Sequence, residues 1–203
     1  MILYVGSKRL SSWSLRAHLA LSQSGAKFET KVIVLDVAST TEEITKVNPT
    51  GRVPVLHDGD LVIWDSLAIC EYVHELHGNL WPADRGARAR ARSISAEMHS
   101  SFGALRQNMP MDLCSNKAGQ GHTPEALADA RRVQTIWREA LDASGGPFLF
   151  GTFTIADAMF APVTTRFRTY GVEIDATARA YGEAIAALPA MQAWQRDADA
   201  EPR

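Results

Sequence analysis

The sequence predicts a small α/β domain followed by a larger all-helical domain. The first part of the chain alternates short β-rich runs with helical patterns, which is typical of a sheet covered by helices. In the second part helical periodicity recurs, punctuated by glycine and proline, and no convincing strand pattern appears. We therefore expect one domain at residues 1–78 and another at 84–203, joined by a linker that contains Trp81 and Pro82.

The first domain begins with a β-α-β unit. Residues 2–5 form a short apolar run that predicts a buried strand, and residues 7–12 follow as a loop. Residues 13–24 show helical periodicity and stop at Gly25, while residues 28–35 are rich in β-branched side chains. Because the two strands are separated by a helix, we expect them to be parallel.

A helix, a hairpin and a second helix complete this domain. Ser39 and Glu42 have the spacing of a capping box, which predicts a short helix that ends before Asn48. The dipeptide Asp58-Gly59 separates two apolar runs, which is a strong hairpin signal, and residues 66–77 are again helical. The resulting order, β-α-β-α-β-β-α, is a thioredoxin-like layout.

The second domain is predicted to contain helices only. Helical stretches cover residues 86–110, 124–144, 155–170 and 177–198. Thr154 and Asp157 have the spacing of a capping box at the start of the third stretch, to which we assign a structural role and no catalytic role.

Composition narrows the classes of function. The chain has 203 residues, a net charge of -2 and a pI near 6.3, so we expect no bulk attraction to nucleic acid or to anionic membranes. Cys70 and Cys114 lie far apart, which favours neither a disulfide framework nor a metal site. The sequence shows no signal peptide and no run long enough to cross a membrane, so a reducing cytoplasm is the expected location.

The stretch from Asn48 to Ser66 has the features of a ligand site. Val53-Pro54 stands at the start of the first hairpin strand, where the proline removes no essential sheet hydrogen bond and the backbone of Val53 is free. Asp65 and Ser66 follow the hairpin and open the next helix. Free backbone beside a helix N-terminus suits a short anionic peptide.

This order of motifs resembles the cytosolic glutathione transferases, and the resemblance covers essentially the whole chain. It implies a glutathione transferase fold with glutathione in the first domain. It also implies that the Val53–Pro54 bond is cis, that Val53 pairs with the glutathione backbone, and that Asp65 and Ser66 hold the γ-glutamyl group. Arg52 occupies a position where many relatives bind the glycyl carboxylate, although a solvated arginine would look the same.

Ser11 and Ser12 are the candidate catalytic residues. From sequence alone either serine would be expected to cap the helix that follows. The resemblance implies instead that one of them donates a hydrogen bond to the glutathione sulfur, with Ser11 as the best match and Ser12 as a close second. The pattern is closest to the zeta class, which includes maleylacetoacetate isomerase, except that Trp13 replaces a cysteine. Tyr4 is a weaker candidate because it lies within a strand.

The second substrate is expected to meet the helical domain. Met98, Phe102, Leu105 and Arg106 follow each other at helical spacing, and the apolar members of such a stripe most often belong to a core. Arg166 matches a zeta-class arginine that holds a substrate carboxylate. The alternative is that Arg166 pairs with an acidic residue inside the helical domain.

These features together predict a dimeric, cytoplasmic, serine-type glutathione transferase that conjugates glutathione to a small electrophile, as detoxifying enzymes do. The alternative enzyme is an isomerase of the maleylacetoacetate type, for which glutathione is a cofactor. A third hypothesis is a glutathione-binding protein of the same fold without catalytic activity. None of the three requires a metal, and the sequence does not identify the electrophile.

Overall fold

The computed structural model describes residues 1–201. Within this range the chain forms four strands and nine α-helices. The strands are β1 (Ile2–Gly6), β2 (Glu29–Ile33), β3 (Val55–Asp58) and β4 (Leu61–Trp64). The helices are α1 (Ser12–Ser24), α2 (Thr40–Val47), α3 (Ser66–His77), α4 (Arg85–Ser100), α5 (Gly103–Asn108), α6 (Pro124–Ser144), α7 (Ile155–Tyr170), α8 (Ala176–Ala187) and α9 (Pro189–Ala200).

The four strands form one mixed sheet in the order β2-β1-β3-β4. Strands β1 and β2 are parallel, and β3 and β4 form the expected antiparallel hairpin. The prediction of a β-α-β-α-β-β-α domain followed by a helical domain is therefore confirmed. Val55 pairs with Trp64 in the hairpin, so the residues before β3 and those after β4 lie at the same end of the sheet.

The predicted helix at residues 86–110 is wrong as a single element. It is divided into α4 and α5, because Phe102 adopts a left-handed backbone conformation with φ of 63°. Arg106 compensates for the break: its guanidinium donates hydrogen bonds to the carbonyl oxygens of Ser101 and Met98. A side chain thus satisfies carbonyl groups that the interrupted helix leaves without a partner.

The predicted helix at residues 177–198 is also divided, into α8 and α9. Leu188 leaves the helical conformation, with φ of -59° and ψ of 129°, and Pro189 is the first residue of α9. Proline has no backbone N–H to donate within a helix interior, but it is well suited to the first position of a new helix.

The two predicted capping boxes have opposite outcomes. Ser39 makes no side-chain cap bond to α2, so that box is absent; Thr40 instead donates to the Val34 carbonyl oxygen over 2.9 Å. At the start of α7 the box is confirmed, because an Asp157 carboxylate oxygen accepts from the Thr154 backbone N–H at 2.8 Å. Burial raises the pKa of Asp157 to about 6.

Helix α1 joins the sheet domain to the helical domain, since it packs against both α3 and α7. The loop before α1 is also tied to the helical domain. The Arg9 side chain contacts Asp112 at 2.8 Å, and the Trp194 indole N–H donates to the Lys8 carbonyl oxygen at 2.8 Å. These contacts fix the position at which α1 begins.

Within the part of the chain that the structure describes, no helix is both long and apolar enough to span a membrane.

Candidate active site

A cleft of about 580 Å³ lies at the end of the sheet, beside the N-termini of α1 and α3. Its walls come from the start of α1, the loop before β3, the end of β4, the start of α3 and, from the helical domain, α4. The lining residues are Trp13, Thr50, Arg52, Val53, Pro54, Trp64, Asp65, Ser66 and His99. All five residues predicted to bind glutathione therefore surround one cavity.

The loop before β3 forms one wall of this cleft, and the Val53–Pro54 peptide bond in it is cis, as expected. The buried Asn48 side chain holds the loop: its amide donates to the Arg52 carbonyl oxygen at 2.7 Å and accepts from the Thr50 backbone N–H at 3.1 Å. Among the described residues, the Val53 backbone forms no hydrogen bond. It remains available to a ligand.

Asp65 caps α3 and also reaches the helical domain. One carboxylate oxygen accepts from the backbone N–H groups of Leu67 and Ala68 at 2.9 and 3.3 Å, and the other lies 3.2 Å from Nε2 of His99. Asp65 has a positive φ of 73°, a conformation that few residues other than glycine adopt. The cap orients its side chain at the edge of the cleft.

Ser66 presents a buried hydroxyl that has no partner. Its side-chain oxygen forms no hydrogen bond to any residue in the described range, and the residue is only 1% exposed. An unsatisfied buried hydroxyl costs about 1–3 kcal/mol. Because Asp65 already caps α3, Ser66 is free to bind an anionic group, which the positive end of the helix dipole also favours.

Ser11 has the structural role that the sequence suggested. It is the N-cap of α1, and its Oγ accepts from the Ser14 backbone N–H at 3.4 Å. The hydroxyl of Ser11 also donates to Oγ of Ser14 at 2.7 Å, and that oxygen accepts from the Gly6 backbone N–H at 3.0 Å. The donor and acceptor sites of Ser11 are therefore both engaged within the protein.

Ser12 is the first residue of α1 and has different partners. Its Oγ accepts a hydrogen bond from Nη2 of Arg166 at 3.1 Å, and its own proton has no acceptor among residues 1–201. Ser11 and Ser12 are each about 6% exposed, and neither lines the cleft, whereas the next residue, Trp13, does. Of the two serines, only Ser12 has an uncommitted proton.

Two cationic side chains pack against the ring of Trp13. The guanidinium groups of Arg16 and Arg106 lie 4.4 and 4.8 Å from the ring centroid, and the His99 ring meets it edge-on at 5.3 Å. Such cation–π contacts stabilise a desolvated charge. The tryptophan thus links α1 to α4 and α5 at the position where the zeta-class pattern has a cysteine.

Three arginines concentrate positive charge near the start of α1. Arg16 is fully buried with its three guanidinium nitrogens unpartnered in the described chain, and neither Arg106 nor Arg166 forms an ion pair there. Burial lowers the pKa of Arg16 well below its usual value, lowers that of Arg106, and lowers that of Arg166 to about 10. The uncompensated charge favours an anion in this region.

The predicted second-substrate residues do not line the cleft itself. Phe102 is buried, and Met98 and Leu105 belong to the hydrophobic core, as expected for apolar members of a stripe. Arg106 stacks on Trp13, and Nη1 of Arg166 donates to the Met109 carbonyl oxygen at 2.6 Å. Arg166 has no acidic partner within residues 1–201.

Sequence reasoning missed three residues of the cleft. Thr50 and Trp64 adjoin the predicted motifs and could have been found by extending them. The sequence around His99 does not indicate that it belongs to the site, because only the packing of α4 beside the start of α3 brings it to Asp65. The rival candidate Tyr4 packs in β1 against the His57 ring at 4.9 Å and does not line the cleft.

In the described range no group of three or more His, Cys, Asp or Glu side chains could hold a metal ion. Cys70 and Cys114 are both free thiols. Burial raises the pKa of Cys70 to about 12 and that of Cys114 to about 11, so neither thiol has the character of a nucleophile.

Comparison with known proteins gives two family matches. Residues 10–76 match the model of the glutathione S-transferase N-terminal domain, and residues 120–196 match the model of the C-terminal domain. A probable maleylacetoacetate isomerase of Caenorhabditis elegans is 28% identical over 192 residues, which cover 92% of this chain and 90% of that protein.

Two solved structures are similar over nearly their full length. A glutathione transferase homologue from Burkholderia, solved with bound glutathione, has a TM-score of 0.76 and 25% identity, and the match covers 98% of each chain. A zeta-class maleyl pyruvate isomerase has a TM-score of 0.76 and 24% identity, with 100% of this chain and 99% of that chain covered.

Proposed function

The chain belongs to the glutathione S-transferase family, and on this premise we propose that it activates the thiol of glutathione with the Ser12 hydroxyl and conjugates it to an electrophilic small molecule. The observation that carries the proposal is the start of α3. There the unpartnered hydroxyl of Ser66 and the carboxylate of Asp65 face the same cleft as the free backbone of Val53.

Glutathione fits this cleft with complementary chemistry at each end. The γ-glutamyl carboxylate would bind the Ser66 hydroxyl and the N-terminus of α3, and its ammonium group would bind Asp65. The cysteinyl backbone would pair with Val53 beside Pro54, and the glycyl carboxylate would lie near Arg52. The Burkholderia homologue with bound glutathione supports this placement by its similarity over the whole chain.

Thiol activation requires modest stabilisation of the anion. A free thiol titrates near pH 8.5, and lowering its pKa by about two units takes about 2.7 kcal/mol. A hydrogen bond to a charged group contributes about 1.5–3 kcal/mol. The N-terminus of a helix contributes about 0.3–1 kcal/mol more. Ser12 at the start of α1 offers both, and Ser11 is the less suitable donor because its proton is already used.

The reaction then follows from the thiolate. Its sulfur forms a bond to an electrophilic carbon, and the electron pair of the broken bond passes to a leaving group or to a conjugated acceptor. In this proposal residues 1–78 hold glutathione, and residues 84–203 supply the electrophile site through Phe102, Arg106 and Arg166.

The uncompensated arginines also favour a second candidate, the glutathione-dependent cis–trans isomerase. A substrate with carboxylates would meet the charge of Arg106 and Arg166, and two of the similar proteins are isomerases by name. Trp13 stands against it, since any step that needs a thiol at that position is lost. Turnover of maleyl-type acids, with glutathione recovered unchanged, would identify this activity.

We include a homodimer and a cytoplasmic location in the proposal. Leu61 on β4 and Leu76 on α3 are apolar side chains about half exposed, which suits a surface covered by a second copy. The cytoplasm keeps both glutathione and the free cysteines reduced.

Calorimetric titration with glutathione, followed by assays on a panel of electrophiles, tests the proposal. We expect Ser66→Ala to weaken glutathione binding by about 1–3 kcal/mol, because a buried ligand group loses its partner. A matched control is Ser93→Ala, on the exposed side of α4, which should leave binding unchanged. Wild-type binding without turnover of any electrophile would favour a non-catalytic binding protein, and absence of binding would refute the proposal.

A further inference from the structure

Arg166 connects the helical domain to the candidate donor serine. It lies on α7, is about 5% exposed, and its guanidinium makes two hydrogen bonds at once. Nη1 donates to the Met109 carbonyl oxygen at 2.6 Å, and Nη2 donates to Oγ of Ser12 at 3.1 Å. Because the guanidinium is planar and held at two points, its position relative to Ser12 is fixed.

The chemistry of the two groups sets the direction of this contact. An arginine side chain can only donate hydrogen bonds, whereas a serine hydroxyl has one proton and two lone pairs. Arg166 must therefore occupy a lone pair of Ser12 and leave its proton free. No residue in the described range accepts that proton, in contrast to the proton of Ser11, which is donated to Ser14.

We propose that Arg166 is a positioning residue for thiol activation, which holds the Ser12 hydroxyl as a hydrogen-bond donor to the glutathione sulfur. The inference rests on the proposed function. Donation from a guanidinium makes the hydroxyl a stronger donor and a weaker acceptor, since hydrogen bonds in a chain polarise one another. The bound thiol then loses its proton to water, Ser12 keeps its own proton, and the thiolate is favoured over the thiol.

This action through Ser12 differs from a general effect of positive charge. Arg106 also places a half-buried guanidinium near the start of α1, but its hydrogen bonds go to the carbonyl oxygens of Ser101 and Met98. If Arg106 affects the thiol, it does so by its charge alone. It is therefore a matched control for Arg166: the same substitution removes the same charge without removing a contact to Ser12.

The test is a double-mutant cycle on the thiol pKa of bound glutathione, read from thiolate absorbance as a function of pH. We expect Ser12→Ala and Arg166→Met each to raise this pKa by about one unit, a tenfold change in ionisation. The double variant should then raise the pKa by clearly less than the sum of the two single shifts, because the part of the Arg166 effect that acts through Ser12 is already lost. Arg106→Met should cause the same shift with or without Ser12.

Additive shifts for Ser12→Ala and Arg166→Met would overturn the inference, because Arg166 would then act by charge alone. If wild-type protein bound no glutathione, the proposed function itself would fail, a result that is separate from additivity. Should Arg166→Met not fold, a crystal structure of the wild-type glutathione complex decides the question. The inference requires Ser12 Oγ to contact the sulfur while it still accepts from Arg166, and a complex in which Arg166 has left Ser12 contradicts it.

Discussion

At the scale of single residues, hydrogen-bond partners explain which residues of the site have a structural role and which can bind a ligand. Ser11 and Asp65 cap helices, while their neighbours Ser12 and Ser66 keep hydroxyl groups that the protein leaves partly unused. Each adjacent pair therefore contains one residue that secures a helix N-terminus and one that can meet a ligand there. The sequence showed both pairs, and the resemblance placed Ser11 slightly ahead of Ser12 as the donor to sulfur; the cap made by Ser11 reverses that order in our proposal.

His18 makes stability depend on pH. Burial, and then the nearby charge of Lys8, lower the pKa of His18 to about 4, as its ring packs against Phe28 and Trp194. Below about pH 6.5 the unfolded chain binds a proton that the folded chain does not, so stability falls as the pH falls toward 4. Above about pH 6.5 the folded protein therefore has the full stability that the neutral His18 side chain allows.

Between about pH 7.5 and 4.5, we expect the protonation of His18 to lower the free energy of unfolding of the wild-type protein by about 2–3 kcal/mol. His18→Phe should remove that part of the dependence and leave the rest of the pH profile in place. Urea unfolding at several pH values measures it. A variant whose stability still falls as steeply as that of the wild type would show that His18 is not the responsible group.

At the scale of elements, the loop between β1 and α1 is the part of the site most dependent on the helical domain. Asp112 binds Arg9 at 2.8 Å, Lys117 at 3.0 Å and the Ser115 hydroxyl at 2.6 Å. Although burial opposes ionisation, hydrogen bonds from these three residues hold the pKa of Asp112 well below its usual range. The carboxylate thereby anchors the loop that leads to Ser12.

Asp112→Asn should lower the free energy of unfolding by about 1–3 kcal/mol, because it weakens charge-assisted hydrogen bonds in a largely buried place. A matched control is Glu97→Gln, which removes the partner of Arg132 from an exposed pair with contacts of 2.8 and 2.9 Å. That change should cost less than about 1 kcal/mol. Equal losses in urea unfolding would mean that Asp112 contributes no more than a surface charge.

Local chemistry decided which elements the sequence could predict. The Asp58-Gly59 hairpin and the start of α3 follow from turn and cap residues within a few positions, and both are present. The break at Phe102 could not be predicted, since a buried phenylalanine with a positive φ is held by the surrounding core and by Arg106 rather than by its own preference. The same holds for His99, which only tertiary packing brings to Asp65.

At the scale of the whole molecule, the two domains share one site, and the proposed dimer would cover the β4 and α3 surface. Leu76→Glu should convert a dimer to a monomer, because it places a charge on an apolar surface where Leu76 is 51% exposed. Val34→Glu is the control, since Val34, 56% exposed, follows β2 at the opposite edge of the sheet. Sedimentation velocity separates the species, and a monomeric wild type would contradict the proposed dimer.

The central claim is that Ser12 stabilises the thiolate of bound glutathione, and the thiol pKa in matched serine variants tests it most directly. We predict a wild-type pKa well below the free value near 8.5, which Ser12→Ala raises by about one unit or more. Ser11→Ala should leave the thiol pKa unchanged and lower stability by about 1 kcal/mol through loss of the α1 cap. If the thiol pKa in the Ser12→Ala variant equals that in the wild type, the claim that Ser12 stabilises the thiolate is contradicted.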